Sequence, residues 1–227
     1  AVYVIDTGKN SNEIVLELVK NLSNLKGGDF VVSVDEHSVV LVKDVGETDR
    51  LKLESRLRET ADSLVDNILT EAMIKVRVGY SNLNDALIKI ADSFQEAKLA
   101  LEVGRVFYAE KEVISYEKLG IGRLIYQLPM SLCEMFIREV FGENVPEILD
   151  DEEAMSTIAK FFENNLNISE TARQLYVHRN TLVYRLERLE KIIGLDIRKF
   201  DDAMTFKLAL MVISHMRYAR RQDTDQR

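Results

Sequence analysis

SETARQLYVHRNTLVYRL, residues 169–186, is the stretch that decides the fold of the C-terminal part of the chain. Ser169–Leu175 predicts one short helix, Tyr176–His178 a tight connection, and Arg179–Ile192 a second helix. Two short helices joined by a three-residue turn are typical of a helix-turn-helix. Tyr176 departs from that pattern, because many such turns have glycine at this place.

The second predicted helix has one apolar face and one polar face. At about 100° per residue, Leu182, Leu186 and Leu189 cluster within a sector of about 60°. The opposite surface carries amide, hydroxyl and basic groups that can bond to bases or phosphates. Its residues are Asn180, Thr181, Tyr184, Glu187, Arg188 and Lys191, with Arg179 and Arg185 on the flanks. A structural helix pair with a charged, solvated face is the alternative interpretation.

The polar face predicts two roles on duplex DNA. Asparagine can bond adenine through two hydrogen bonds, arginine can read guanine, and backbone N–H groups at a helix start favour a phosphate. We expect base edges to be read by Asn180, Thr181, Tyr184 and Arg188. We expect phosphates to be held at the helix start and on its flanks by His178, Arg179 and Arg185.

Composition and charge limit the classes of protein. The 227 residues are 46% hydrophobic and 30% charged, which excludes a disordered or fibrous chain. The net charge of −8 is uneven, since residues 155–227 carry +4 and residues 1–154 carry −12. A basic end on an acidic body is expected where one end meets a polyanion. The longest apolar run, Leu208–Ile213, is too short to span a membrane, and the single cysteine, Cys133, fits a reducing compartment; we therefore predict a cytoplasmic protein without a membrane partner.

The first 120 residues alternate between strand and helix patterns. Strands are predicted at Val2–Ile5, Phe30–Val34, Val39–Val42, Ile74–Val78 and within Val106–Tyr116. Helices are predicted at Ile14–Leu25, Thr48–Met73 and Leu83–Gly104. The order β-α-β-β-α-β-α-β indicates an α+β domain, a sheet with helices on one face.

IADSFQEAK, residues 90–98, and the following Gly104-Arg105 resemble the C-terminal part of GGDEF domains. In that family paired glycines on a hairpin let the backbone approach a nucleotide, and acidic residues hold a metal. The predicted hairpin here keeps the acidic pair Asp35-Glu36, but Ser33-Val34 stand in place of the glycines. The resemblance therefore implies a degenerate, non-catalytic GGDEF-like domain that serves dimerisation or signal relay.

No other pattern predicts catalysis, a metal or a cofactor. Gly27-Gly28-Asp29-Phe30 spells a near match to the GGDEF signature, but it precedes the hairpin and is interpreted as the stop of a helix. His37, His178 and His215 lie far apart, none at the spacing of metal ligands. The acidic run Asp150–Glu153 suits the start of a helix. We predict no catalytic residues, no metal and no cofactor.

Residues 169–186 strongly resemble the C-terminal helix-turn-helix of PucR/CdaR-type regulators of purine and sugar-diacid use. The block His178–Leu182 followed by Tyr184–Leu186 is specific to that family, and Phe161–Leu166 extends the match. The resemblance implies a sequence-specific activator of a catabolic operon that binds a double-stranded DNA operator as a homodimer and contacts RNA polymerase. It also implies a small-molecule effector sensed by a further N-terminal domain. The chain is then a fragment of a longer regulator; loss of an initiator Met before Ala1 is the alternative.

The predicted organisation has three parts. A degenerate GGDEF-like α+β domain covers residues 1–118, a helical connector covers 119–153, and an all-α helix-turn-helix DNA-binding domain covers 154–227. A nucleotide- or metabolite-binding sensor is the alternative function. An active diguanylate cyclase is a further alternative, against which Ser33-Val34 argue.

Overall fold

The computed structural model describes residues 1–46, 49–84 and 86–225 of the chain. Contacts divide the chain into two compact units, Ala1–Tyr126 and Gln127–Arg227. Among the described residues, no helix combines the length and the apolar character needed to cross a membrane. The boundaries predicted after residues 118 and 153 stay a prediction.

The first unit has the predicted order of strands and helices, which confirms its α+β class. The strands are β1 Val2–Asp6, β2 Phe30–Asp35, β3 Ser38–Val42, β4 Arg77–Tyr80 and β5 Val113–Ser115. The helices are α1 Glu13–Leu22, α2 Arg50–Ala72, α3 Ile90–Phe107 and α4 Ile121–Tyr126. Thr48, where the second helix was predicted to begin, lies outside the described residues.

The five strands form one sheet in the order β2-β3-β1-β4-β5. β1 lies in the middle, antiparallel to β3 and β4, with Tyr3 opposite Leu41 on one side and Tyr80 on the other. β5 pairs in parallel with β4 at the far edge. β2 and β3 form the predicted hairpin, and their register shifts between Ser33 and Asp35.

Helices cover both faces of this sheet, so the prediction that they lie on one face is wrong. Tyr3 and Ile5 of β1 pack with α1 and α2, whereas Val2 and Val4 pack with α3. Successive side chains of a strand point to opposite faces, and every residue of β1 is buried. A continuous apolar run of this kind is typical of a strand covered on both sides.

Helical spacing alone does not identify the buried side of α1. Ile14 and Leu22 recur at helical spacing, but they are 60% and 44% exposed. Val15 and Val19, one turn apart, are fully buried against the sheet instead. Helical spacing fits both pairs, and contact with the sheet decides which pair forms the core.

The second unit is all-helical, as predicted. Its helices are α5 Met130–Phe141, α6 Glu152–Glu163, α7 Ile168–Gln174, α8 Arg179–Ile193 and α9 Phe200–Asp225. α5 begins directly after Pro129, and it packs against α9. Phe161 and Phe206 are fully buried, and the ring of Phe206 meets that of Phe141 edge-on at 6.2 Å.

Gly79 permits the close approach of α3 to β4. A Cβ atom at this position would lie 2.3 Å from the carbonyl oxygen of Ala97 and 2.8 Å from Cγ of Leu101. The first of these is a backbone atom within α3, which cannot rotate away. A side chain here would therefore push the helix off the sheet.

We expect Gly79→Ala to lower the free energy of unfolding of the first unit by about 2 kcal/mol or more, because overpacking forces a backbone shift. Gly104→Ala is the matched control. Its Cβ would meet Cγ1 of Ile114 at 2.8 Å, a side-chain atom, and alanine is the better helix former. Urea unfolding checks the order of the two effects. An equal or smaller loss for Gly79→Ala would contradict the close approach.

Candidate DNA-binding interface

The turn between α7 and α8 is built from backbone hydrogen bonds. The N–H of Val177 donates to the carbonyl of Ala172 at 3.0 Å, and the N–H of Tyr176 donates to that of Arg173 at 3.2 Å. This pair of bonds is the Schellman pattern that ends many helices, in which a left-handed residue follows the helix. Tyr176 is that residue, with φ of 55°.

α8 begins at Arg179 with His178 as its N-cap. Nδ1 of His178 accepts a hydrogen bond from the N–H of Asn180 at 3.3 Å, and its carbonyl accepts from Thr181 at 2.9 Å. The imidazole thus occupies the helix start, where a phosphate was predicted to bind. The remaining first-turn N–H groups add a partial positive charge at this end.

The rotation of α8 is set by its apolar stripe. Leu182, Leu186, Leu189 and Ile193 are all buried. On α7, Thr171 and Ala172 are buried, and the small alanine side chain suits the close helix contact. Because these leucines face inward, the opposite side of α8 is held outward.

The outward side carries most of the residues predicted to meet DNA. The exposed ones are His178, Arg179, Asn180, Thr181, Tyr184 and Arg188. Tyr184 is 66% exposed. Arg188 forms no ion pair with any residue that the structure describes. The structure therefore exposes six of the seven predicted residues to solvent. Their individual roles on DNA stay a prediction.

Arg185 is the exception within this set. Its Nη2 lies 2.6 Å from Oε1 of Glu153 in the first turn of α6, and its side chain is 34% exposed. The neighbouring Asp151 accepts a hydrogen bond from the N–H of Ala154 at 2.8 Å and caps α6. Arg185 and Arg188 therefore line an open groove whose other wall bears carboxylates.

Arg198 forms ion pairs at the C-terminal end of α8, and no pattern in the sequence predicted this role. Its guanidinium contacts Asp196 at 2.6 Å, Glu190 at 2.6 Å and Glu187 at 3.5 Å. The hydrogen bond from Arg198 lowers the pKa of the Asp196 carboxyl. The bond from Asp196 in turn raises the pKa of Arg198. The three acids that surround Arg198 leave it committed to the fold rather than to DNA.

The GGDF stretch of the first unit is structural. Asp29 is 3% exposed and accepts hydrogen bonds from Nζ of Lys43 and from the N–H groups of Asn24 and Asp44, each at 2.9 Å. Burial alone would raise the pKa of this carboxyl, but these donors lower it. Its oxygens are thus engaged within the fold.

The hairpin keeps the acidic pair but not an open glycine turn. Ser33 and Val34 lie within β2, and the N–H of His37 donates to Oδ1 of Asp35 at 2.8 Å. At the same end of the sheet, Nη2 of Arg105 lies 2.5 Å from Oδ2 of Asp6. Among residues 1–46, 49–84 and 86–225, no group of three or more His, Cys, Asp or Glu is arranged to hold a metal ion.

A short helix, a tight turn and a second helix with an outward polar face define α7 and α8 as a helix-turn-helix module. Residues 154–212 match the model of the PucR C-terminal helix-turn-helix domain. Residues 1–103 match that of the GGDEF-like domain. These two matches, in this order along the chain, support the PucR/CdaR family.

Several curated relatives carry the names of regulators. The purine catabolism regulatory protein of Bacillus subtilis is 32% identical over 60% of this chain and 25% of its own length. The carbohydrate diacid regulator of Escherichia coli is 27% identical over 68% of this chain and 40% of its own. The proline-responsive transcriptional activator of B. subtilis is 20% identical over 94% of this chain and 53% of its own length. The chain thus spans between a quarter and about half the length of these relatives.

Proposed function

We propose that this chain is a sequence-specific DNA-binding regulator of transcription, in which α8 enters the major groove. The observation that carries the proposal is the division of α8 into a buried leucine stripe and an exposed face of amide, hydroxyl and guanidinium groups. Three relatives are named as regulators, which supports it. Selection and sequencing of bound genomic fragments at two salt concentrations tests it. A sequence-specific protein enriches one motif, whereas a protein that binds DNA only through its basic surface enriches none.

The seven predicted residues take the predicted roles within this proposal. Base edges are read by Asn180, Thr181, Tyr184 and Arg188, the residues on the outward face of α8. Phosphates are held by His178, Arg179 and Arg185 at its start and flank. Arg188 is the strongest single candidate for base reading, since arginine bonds guanine through two hydrogen bonds and its guanidinium forms no ion pair with a described residue.

We expect Arg188→Ala to weaken binding to the selected site by about fivefold to 150-fold, or about 1–3 kcal/mol, and to relax one base position. Arg138→Ala is the matched control, since Arg138 is an exposed arginine of α5 in the same unit. Titration of the selected site and of single-base variants checks the effect. An equal loss on every sequence would refute base reading by Arg188.

The ion pair between Arg185 and Glu153 opposes phosphate binding in this proposal, because the same guanidinium cannot hold both partners fully. We expect Glu153→Gln to raise DNA affinity by about twofold to tenfold. We also expect the slope of log affinity against log salt concentration to become steeper, as for release of about one more counterion. Glu152→Gln is the control, since it removes the same charge from the same helix turn without an ion pair to Arg185. If both variants gain equally, Arg185 is not the group released.

The regulator is proposed to act as a homodimer. One helix-turn-helix covers few base pairs, so strong specificity is expected from two copies on half-sites one helical turn apart. We expect sedimentation to show a dimer, either free or on the selected DNA, and the selected motif to be a palindrome. A strict monomer that binds a single, asymmetric site tightly would contradict this proposal.

Further proposals follow from the relatives. The chain is proposed to activate a catabolic operon in the cytoplasm through contact with RNA polymerase, as one relative is named a transcriptional activator. It is proposed to lack enzymatic activity, since these relatives are named as regulators. It is also proposed to respond to an effector bound by a further N-terminal domain, since the chain spans only 25% and 40% of the length of these relatives. Transcription with purified RNA polymerase from a promoter carrying the selected site measures the activation.

A further inference from the structure

Tyr176 combines a backbone conformation that favours glycine with a side chain that touches almost nothing. Its φ is 55°, in the left-handed region, where a Cβ atom is strained. Its side chain is 96% exposed. The two hydrogen bonds of the turn come from the backbone N–H groups of residues 176 and 177, so glycine would make them equally well.

The fold therefore gains nothing from the tyrosine that would offset its strain. A strained residue that persists without a packing role is a candidate for function. Strain alone does not carry the inference, because Met73 at the end of α2 has φ of 56° and is 88% exposed. The position of Tyr176 supplies the second observation.

Tyr176 lies two residues before His178, the N-cap of the reading helix. Two residues of chain span at most about 7 Å, so the Cα atom of Tyr176 lies within that distance of the Cα atom of His178. Tyr176 lies outside α8, in the turn that precedes it. A tyrosine at this place can offer a hydroxyl donor to a phosphate and a ring to the adjoining sugar.

We propose that Tyr176 binds the DNA backbone at the edge of the groove that α8 enters, with its hydroxyl donating to a phosphate oxygen. This inference rests on the proposed function, since it needs α8 on duplex DNA. The contact is independent of sequence, because phosphates are the same at every base pair. The proposed contact adds a phosphate-binding residue in the turn to those on α8.

The test separates folding from binding through two variants. Tyr176→Gly relieves the left-handed strain, so we expect the Tm of the chain to hold or rise by about 2–4 °C. The same variant is expected to weaken binding to the selected site by about fivefold or more, uniformly across single-base variants of that site. Tyr176→Phe keeps the ring and removes the hydroxyl, and we expect a loss of about threefold to tenfold at unchanged Tm.

Met73→Gly is the matched control. It relieves the same conformation at an equally exposed position of the first unit, and we expect a Tm that holds or rises with no change in DNA affinity. A purely structural role for Tyr176 would move Tm and affinity in the same direction. Opposite movement, or loss of affinity at constant Tm, supports the contact.

Full affinity in both Tyr176 variants, with the parent chain binding its motif, would overturn this inference and leave the proposed function intact. A parent chain that enriches no motif would instead overturn the proposed function, and the Tyr176 contact with it. A loss for Tyr176→Gly on some base variants only would also overturn the inference, since it would place the ring on a base.

Discussion

Burial of the leucine stripe of α8 is the constraint on which the C-terminal unit depends. Leu182 is fully buried, and Leu186 and Leu189 are nearly so, one and two turns further on. Together they fix both the position and the rotation of the helix against α7. Each residue between them is thereby assigned to the core or to the surface, so the composition of the outward face follows from packing. Specific DNA reading needs a rigid face of this kind, and the stripe supplies it.

The order of elements could be predicted from sequence, but the layers could not. Val2–Ile5 is apolar at every position, which fits a strand covered on both faces, yet the run alone does not say what covers it. Ile14 and Val15 are neighbours of similar hydrophobicity, and only the docking of α1 on the sheet separates the exposed from the buried one. Periodicity in the sequence describes a single helix or strand. It does not say which other element packs against that helix or strand.

The same limit explains what was found and missed in the interface. The helical-wheel analysis identified the exposed residues of α8, because the outward face of a helix follows from the spacing of its own apolar residues. The partner of Arg185 lies 32 positions earlier in the chain, on α6, and the brace around Arg198 joins α8 to the loop after it. Tyr176 was flagged as a departure, and the backbone shows why: it takes the left-handed position that glycine takes in other turns.

The acidic start of α6 shows two local requirements in conflict. Asp151 caps the helix and Glu152 and Glu153 complement its dipole, so these acids stabilise the fold where they stand. Asp151 and Glu153 also line the groove beside Arg185 and Arg188, where they would repel a phosphate backbone in the proposed complex. Residues 155–227 carry a net charge of only +4, so they supply little sequence-independent attraction to phosphates. Affinity must therefore come from a few well-placed contacts, which favours discrimination between sequences over tight binding to any DNA.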